Sequence, residues 1–127
     1  MAVTDFAYID PIRLEIDPVH SPHKIHVWSD FRVAFKIDGV DTIYTVRAGM
    51  ETDFASIPRQ FEGWLIEKIG AHMAAAVVHD QICVDRGPWS SSVAADIFNE
   101  AMRVSRVPDD TRTVMYQAVL LGGPQWG

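Results

Sequence analysis

Cysteine is nearly absent from this sequence of 127 residues, in which Cys83 is the single example. One cysteine excludes an internal disulfide, and its isolation fits a reducing compartment. Long apolar runs are missing as well: the longest, Met73 to Val78, is far shorter than the roughly 20 residues of a membrane-spanning helix. The chain also begins without the basic and apolar segments of a secretory signal peptide. We therefore expect a soluble protein that is cytoplasmic, at least where it is made.

Positive charge is scarce too. Lysine and arginine together number 11 against 17 aspartates and glutamates, which gives a net charge of −6 and an isoelectric point near 5.2. Nucleic-acid-binding surfaces normally need a basic excess, so a DNA or RNA partner is not expected. Hydrophobic residues make up 48% of the chain, enough for the core of one domain of this length. We therefore expect a single domain over residues 1–127.

The first part of the chain, residues 1–57, has the pattern of strands and turns. Apolar and polar residues alternate in several short segments, as they do in strands with one buried face. Two of these segments, 31–37 and 42–46, flank Asp38-Gly39, a sequence typical of a tight hairpin turn. This pattern predicts a small antiparallel sheet.

The second part, residues 58–127, has the pattern of helices. An amphipathic segment over 61–69 comes first, and an Ala-rich segment from Ala71 to about Val84 predicts a buried helix. Capping residues and glycine- or proline-containing ends predict two more helices, one from Ser90 or Ser91 to about Ser105 and one that Asp109 caps and that ends at Gly122. The fold class is therefore α+β, a small N-terminal antiparallel sheet followed by three or four helices that include an antiparallel helix hairpin.

Four polar residues form the candidate site: Asp53, His79, Asp80 and Asp96. They lie among apolar segments, where a carboxylate is costly unless it is paired or binds a cation. His79 lies about five residues before the end of its helix and Asp96 about five after the start of the next, so the two should be level across an antiparallel helix pair. Asp96 could then orient His79 by accepting a hydrogen bond and leave the other ring nitrogen as a catalytic base.

Asp53, His79 and Asp80 are also candidate ligands for a divalent metal ion. Asp80 is rotated by about 100° from His79 around the same helix, and Asp53 lies in a loop that could approach from the other side. One imidazole with two or three carboxylates suits Ca²⁺, Mg²⁺ or Zn²⁺. The alternative interpretation is structural: His79 and Asp96 could form a buried polar bridge between the helices, and Asp53 could cap local backbone.

Several short motifs occur in the order typical of a known family. They are Ala48-Gly49, the segment 52–59 that reads Thr-Asp-Phe-Ala-Ser-Ile-Pro-Arg, His79-Asp80 after an apolar helix, Ala95-Asp96-Ile97-Phe98, Met115-Tyr116 and the tail 122–126. On these motifs, over roughly residues 28–126, the chain resembles the phage and prophage proteins grouped as domain of unknown function 1353. The resemblance implies a phage or prophage origin. Members often continue His-Asp with Tyr-Leu-Tyr, whereas Cys83 stands here where the second tyrosine hydroxyl would support the site.

Two classes of function follow. The first is a non-enzymatic phage component, such as a tail or baseplate accessory protein incorporated in the virion, with other phage proteins as partners. It predicts a closed, fully paired polar cluster and an exposed apolar patch. The second is a small metal-assisted hydrolase for an ester, amide or phosphoester of the host, which predicts an open cleft over His79 and Asp53. A looser similarity to phospholipases A2 implies, for the second class, that His79 activates water and that Asp80 holds Ca²⁺.

Overall fold

In the part of the chain that the structure describes, six strands are followed by three helices. A computed structural model of the chain describes residues 2–52 and 71–127. In these ranges the elements are β1 (Val3–Tyr8), β2 (Leu14–Asp17), β3 (Ser21–Val27), β4 (Phe31–Ile37), β5 (Val40–Val46), β6 (Glu51–Thr52), α1 (Ala71–Asp85), α2 (Ser91–Val104) and α3 (Asp109–Gly122). The antiparallel strands come first and the helices follow, so the predicted α+β class is confirmed.

The strands form two antiparallel sheets of three strands each, with the orders β1-β4-β5 and β2-β3-β6. The predicted hairpin is the β4–β5 pair, in which Ile37 lies opposite Val40. Asp38 and Gly39 between them have φ of 50° and 81°. Two successive positive φ values are the geometry of a tight two-residue hairpin turn, which Asp-Gly adopts readily. The inward face of β4 carries Phe31, Val33 and Phe35, all buried in the core.

The helices pack in the order of the chain, α1 against α2 and α2 against α3. Residues 73–79 of α1 are all buried, which explains why this helix has so many small and apolar residues. Helix α2 begins as predicted, because the Ser90 hydroxyl accepts a hydrogen bond from the Val93 amide at 3.3 Å. The prediction that Asp109 caps α3 is wrong: Pro108 is the capping residue, and Asp109 is the first helical residue, its carboxylate bound to Arg112 at 2.9 Å.

A polar clamp, made of Tyr44, Arg47, Gln81 and Asp85, joins the first sheet to α1. The Asp85 carboxylate accepts hydrogen bonds from the Arg47 guanidinium at 2.7 and 3.1 Å and from the Tyr44 hydroxyl at 2.6 Å. The Arg47 amide donates to Gln81 Oε1 at 3.1 Å. The hydrogen-bonded guanidinium lowers the pKa of Asp85, so this carboxylate stays ionised at neutral pH. The clamp fixes the C-terminal half of α1, which carries His79 and Asp80, relative to β5.

Two further contacts hold the ends of the chain. At the N-terminal end, the Tyr8 hydroxyl in β1 lies 3.0 Å from the Ser105 hydroxyl after α2. At the C-terminal end, Trp126 returns to the start of α2: its indole Nε1 donates to the Trp89 carbonyl at 2.6 Å, and its own carbonyl accepts from the Ser91 amide at 3.2 Å. The Arg86 guanidinium lies 5.1 Å from the centre of the Trp126 ring. Among the described helices, none is both long and apolar enough to cross a membrane.

Candidate functional site

His79 lies inside the protein, on the part of α1 that packs against α2. The residue is only 2% exposed. Its ring is centred 5.0 Å from the Phe98 ring of α2. The Cys83 sulfur, one turn further along α1, lies 3.6 Å from Nε2 and 3.8 Å from Nδ1. The imidazole therefore fills a position in the interface between the two helices.

Burial determines the protonation state of His79. It lowers the pKa of the imidazole from 6.5 to about 4, because the charged form would lose its hydration inside the protein. The ring is therefore neutral at pH 7. A neutral imidazole can bind a metal ion or accept a hydrogen bond. As a general base it is weak, because a base works best when its pKa lies near the operating pH.

Cys83 and Asp80 lie near His79 on α1. Burial raises the pKa of the Cys83 thiol to about 12, and the nearby Asp80 carboxylate raises it further while Arg86 opposes the change. The thiol is therefore protonated, which excludes the thiolate form that nucleophilic catalysis requires. Asp80 is half-buried, with its negative charge close to the thiol. At this position the chain has a small neutral thiol beside the imidazole instead of a phenol.

Asp96 makes its hydrogen bond to α3, although the sequence predicts that it bonds to His79. The Tyr116 hydroxyl of α3 donates to the Asp96 carboxylate at 2.5 Å. This bond raises the pKa of Tyr116 to about 12, because the phenol is held in its protonated form. No hydrogen bond or ion pair joins Asp96 to His79, two residues that both lie in the described part of the chain.

Helix geometry explains why Asp96 and His79 do not pair. Phe98 is the α2 residue that contacts the His79 ring. Asp96 precedes Phe98 by two residues, and successive residues are about 100° apart around a helix, so the two side chains leave α2 about 200° apart. The face that meets α1 therefore carries Phe98, and Asp96 is on the side that meets α3. The roles of His79 as a base and of Asp96 as its orienting residue stay predictions.

The third predicted carboxylate, Asp53, lies outside the described residues. His79 and Asp80 are neighbours in sequence on α1. In residues 2–52 and 71–127, no group of three or more histidine, cysteine, aspartate or glutamate side chains is arranged to hold a metal ion. A metal site made of Asp53, His79 and Asp80 therefore stays a prediction.

Sequence reasoning missed the pairing of Tyr116 with Asp96. Asp96 lies eight residues before the end of α2, and Tyr116 lies seven residues after the start of α3. A short connection joins these helices, so the argument that was applied to His79 and Asp96 also makes Asp96 and Tyr116 level. The spacing of Asp96 and Tyr116 therefore indicates this pair, whereas the motif Met115-Tyr116 by itself does not.

Comparisons with known proteins give a family and one curated relative. A family model described as "Protein of unknown function (DUF1353)" matches residues 25–119. A protein named "Uncharacterized protein y4jT", from Sinorhizobium fredii (strain NBRC 101917 / NGR234), is 34% identical over 86 residues. That match covers 65% of this chain and 25% of the relative, so the chain spans about a quarter of the length of the longer protein. No solved structure matches the chain significantly.

Proposed function

We propose that this chain, which belongs to the DUF1353 family of proteins of unknown function, is a non-enzymatic accessory component of a phage or prophage virion, in the tail or baseplate. The observation that carries the proposal is the hydrogen bond of 2.5 Å between Tyr116 and Asp96. It uses a predicted site carboxylate to hold two helices together. His79 is likewise packed between α1 and Phe98. These contacts of Asp96 and His79 support a structural role for the two residues.

Exposed apolar side chains support a role in an assembly. Val40 and Ile43 on β5 are 66% and 64% exposed, and Leu121 at the end of α3 is 77% exposed. Val40 and Ile43 are three residues apart on β5 and so leave opposite faces of that strand, which offers a partner separate apolar points and no single large patch. The order of the sequence motifs supports the phage or prophage origin. The match to a quarter of a longer relative shows a similar segment joined to further protein.

The direct test is the composition of virions. Particles purified from a producing host by density gradient should contain this chain at a constant copy number, measured by quantitative mass spectrometry. A chain that stays in the host cytoplasm and is missing from the particles would contradict the proposal. The matched control is a phage protein known to be confined to the cytoplasm, which must be removed by the same gradient.

The structural role of Asp96 gives a second expectation. Tyr116→Phe should lower the free energy of unfolding by about 1 kcal/mol, because it removes one hydrogen bond to a charged, partly exposed acceptor. In a double-mutant cycle with Asp96→Ala, urea unfolding should give a coupling energy of about 1 kcal/mol or more. Additive effects of the two substitutions would mean that the pair does not stabilise the α2–α3 interface.

One observation favours the alternative, a metal-assisted hydrolase acting on an ester, amide or phosphoester of the host. Burial keeps His79 in the neutral form that binds divalent metals, and Asp80 follows it directly. For this alternative, elemental analysis of the purified protein should find one equivalent of Ca²⁺, Mg²⁺ or Zn²⁺, lost in both His79→Ala and Asp80→Asn while the circular dichroism of Asp80→Asn is unchanged. A metal-free wild-type protein would exclude a resident ion and favour the structural role.

A further inference from the structure

A pocket of about 340 Å³ lies beside β2 and β3 of the second sheet. This volume is at the lower end of the range for ligand pockets, roughly 300–1,000 Å³, and has room for one long side chain. We call it the Trp28 pocket, after the tryptophan that follows β3 and is 65% exposed. Its lining residues are Glu15, Asp17, His26, Val27, Trp28 and Gly49.

Strand register puts the polar residues of this pocket on one face. Glu15 in β2 lies opposite His26 in β3, and His26 lies opposite Glu51 in β6. Trp28 follows His26 by two residues, and its amide donates to the Arg13 carbonyl at 2.9 Å, so the alternation continues past the end of β3. An indole ring, an imidazole and carboxylates therefore share this surface.

The carboxylates of the pocket differ in how many partners they have. Asp17 accepts hydrogen bonds from the backbone amides of Val19 and His20 and lies 3.0 Å from His20 Nδ1. These bonds lower the pKa of Asp17, which keeps its charge. Glu15 is exposed and, in the part of the chain that the structure describes, has neither a hydrogen bond nor an ion pair through its side chain. It is therefore the carboxylate available to a ligand.

The positive groups near the pocket leave its charge negative. Lys24 Nζ and His26 Nδ1 both contact Glu51, at 3.7 and 3.2 Å, and so the Lys24 charge is directed to β6. Arg13, the residue before β2, accepts a hydrogen bond from the Trp28 amide through its carbonyl and is not among the residues that line the pocket. Two carboxylates, Glu15 and Asp17, line the pocket, and the whole chain has a net charge of −6. The pocket is complementary to a cation.

We propose that the Trp28 pocket binds the side chain of an arginine on a partner protein. A planar guanidinium can stack on an exposed indole ring and donate two parallel hydrogen bonds to one carboxylate, a combination that Trp28 and Glu15 supply. A divalent cation fits less well, because it takes several oxygen ligands and Asp17 already uses its oxygens in its own turn. The contact is independent of the polar residues on α1 and goes beyond the proposed role in a virion.

The test compares two short peptides of the same length and shape, one with a guanidinium and one with a neutral urea group in its place. Acetyl-Gly-Arg-Gly-amide and its citrulline counterpart, which has the same shape without the charge, are titrated into the full chain labelled with ¹⁵N. The arginine peptide should shift the Trp28 indole signal, assigned with Trp28→Phe, in a saturable manner. The citrulline peptide should bind at least about tenfold more weakly, the effect of losing a charged hydrogen bond.

Matched variants separate the pocket from general attraction to an acidic protein. Glu15→Gln should weaken binding of the arginine peptide about tenfold. Asp41→Asn removes one exposed charge from β5 in the other sheet and should leave the affinity within about twofold, since exposed charges beyond a Debye length are screened. Equal binding of both peptides, an equal loss in Glu15→Gln and Asp41→Asn, or displacement of the peptide by equimolar Ca²⁺ would overturn the proposal. Both variants change exposed side chains, and thermal melting checks that they fold.

Discussion

Lowering the pH from 6.5 to 4 should reduce the free energy of unfolding of the wild-type protein by about 3 kcal/mol more than that of His79→Gln. The pKa of His79 is about 4 in the folded protein and 6.5 in an unfolded chain. Between these values the unfolded chain binds a proton that the folded protein excludes, so acid favours unfolding. Well above pH 6.5 the His79 imidazole is neutral in both the folded and the unfolded state, and the stability that it contributes is fully present. It is lost as the pH falls toward 4, at about 1.4 kcal/mol per pH unit.

Urea unfolding at half-unit steps of pH, on both proteins, measures this difference. Glutamine is the control because it is polar, close in size and does not titrate. Asp10, Asp17 and Asp85 also have lowered pKa values. Their contribution to stability is lost as the pH falls below about 4 and is common to both proteins. Parallel stability curves between pH 6.5 and 4 would show that His79 accepts a proton in the folded state, and the interpretation of a closed, neutral imidazole would be wrong.

Trp126→Ala should lower the free energy of unfolding by about 2–3 kcal/mol. The substitution removes the indole N–H that donates to the Trp89 carbonyl, the ring that faces Arg86, and the apolar area that the ring buries against the core. It also loosens the backbone carbonyl that accepts from the Ser91 amide at the start of α2. Chemical denaturation monitored by far-UV circular dichroism measures the loss without relying on tryptophan fluorescence.

Trp126→Phe separates the parts of this contact. Phenylalanine keeps a ring near Arg86 and loses the N–H donor, so we expect a loss of about 1 kcal/mol. Gln125→Ala is the control from the same tail, because the Gln125 amide donates only to nearby carbonyls of Leu120 and Gly123. A loss from Trp126→Ala no greater than that from Gln125→Ala would mean that the tail does not stabilise the start of α2.

Local patterns predicted the elements of this fold well. Asp38-Gly39 fixed the hairpin because the turn needs two positive φ values, and that requirement depends on two residues alone. The start of α2 was predicted at Ser90 or Ser91, and Ser90 is the capping residue, again a local property of the hydroxyl and the first turn. The prediction of Asp109 as the capping residue of α3 was wrong by one position. Pro108, with its fixed φ, fits the capping position, and Asp109 lies in the first turn of the helix. The arrangement of the strands in two sheets has no comparable local signal.

The candidate site was harder to predict, because its pairs depend on the rotation of each helix. The spacing correctly placed His79 at the interface of two antiparallel helices, yet the residue that meets it is Phe98. Asp96 and Phe98 are two residues apart, and spacing along the chain cannot decide between them without knowing which face of α2 meets α1. The burial that makes His79 neutral is also a tertiary property. Its pKa of about 4 follows from the packed core and from no short motif.

The contact between Tyr8 and Ser105 has a consequence for how the chain folds. The two residues are 97 positions apart, so this contact forms only after a very long loop has closed, whereas β1 can already pair with the nearer strand β4. Contacts at such separation slow folding and usually form after the transition state. The sheet of β1, β4 and β5 and each helix can form from nearby residues, whereas the packing of β1 against α2 must wait for the long loop to close. We expect the Tyr8–Ser105 contact to form late in folding, so that it mainly slows unfolding.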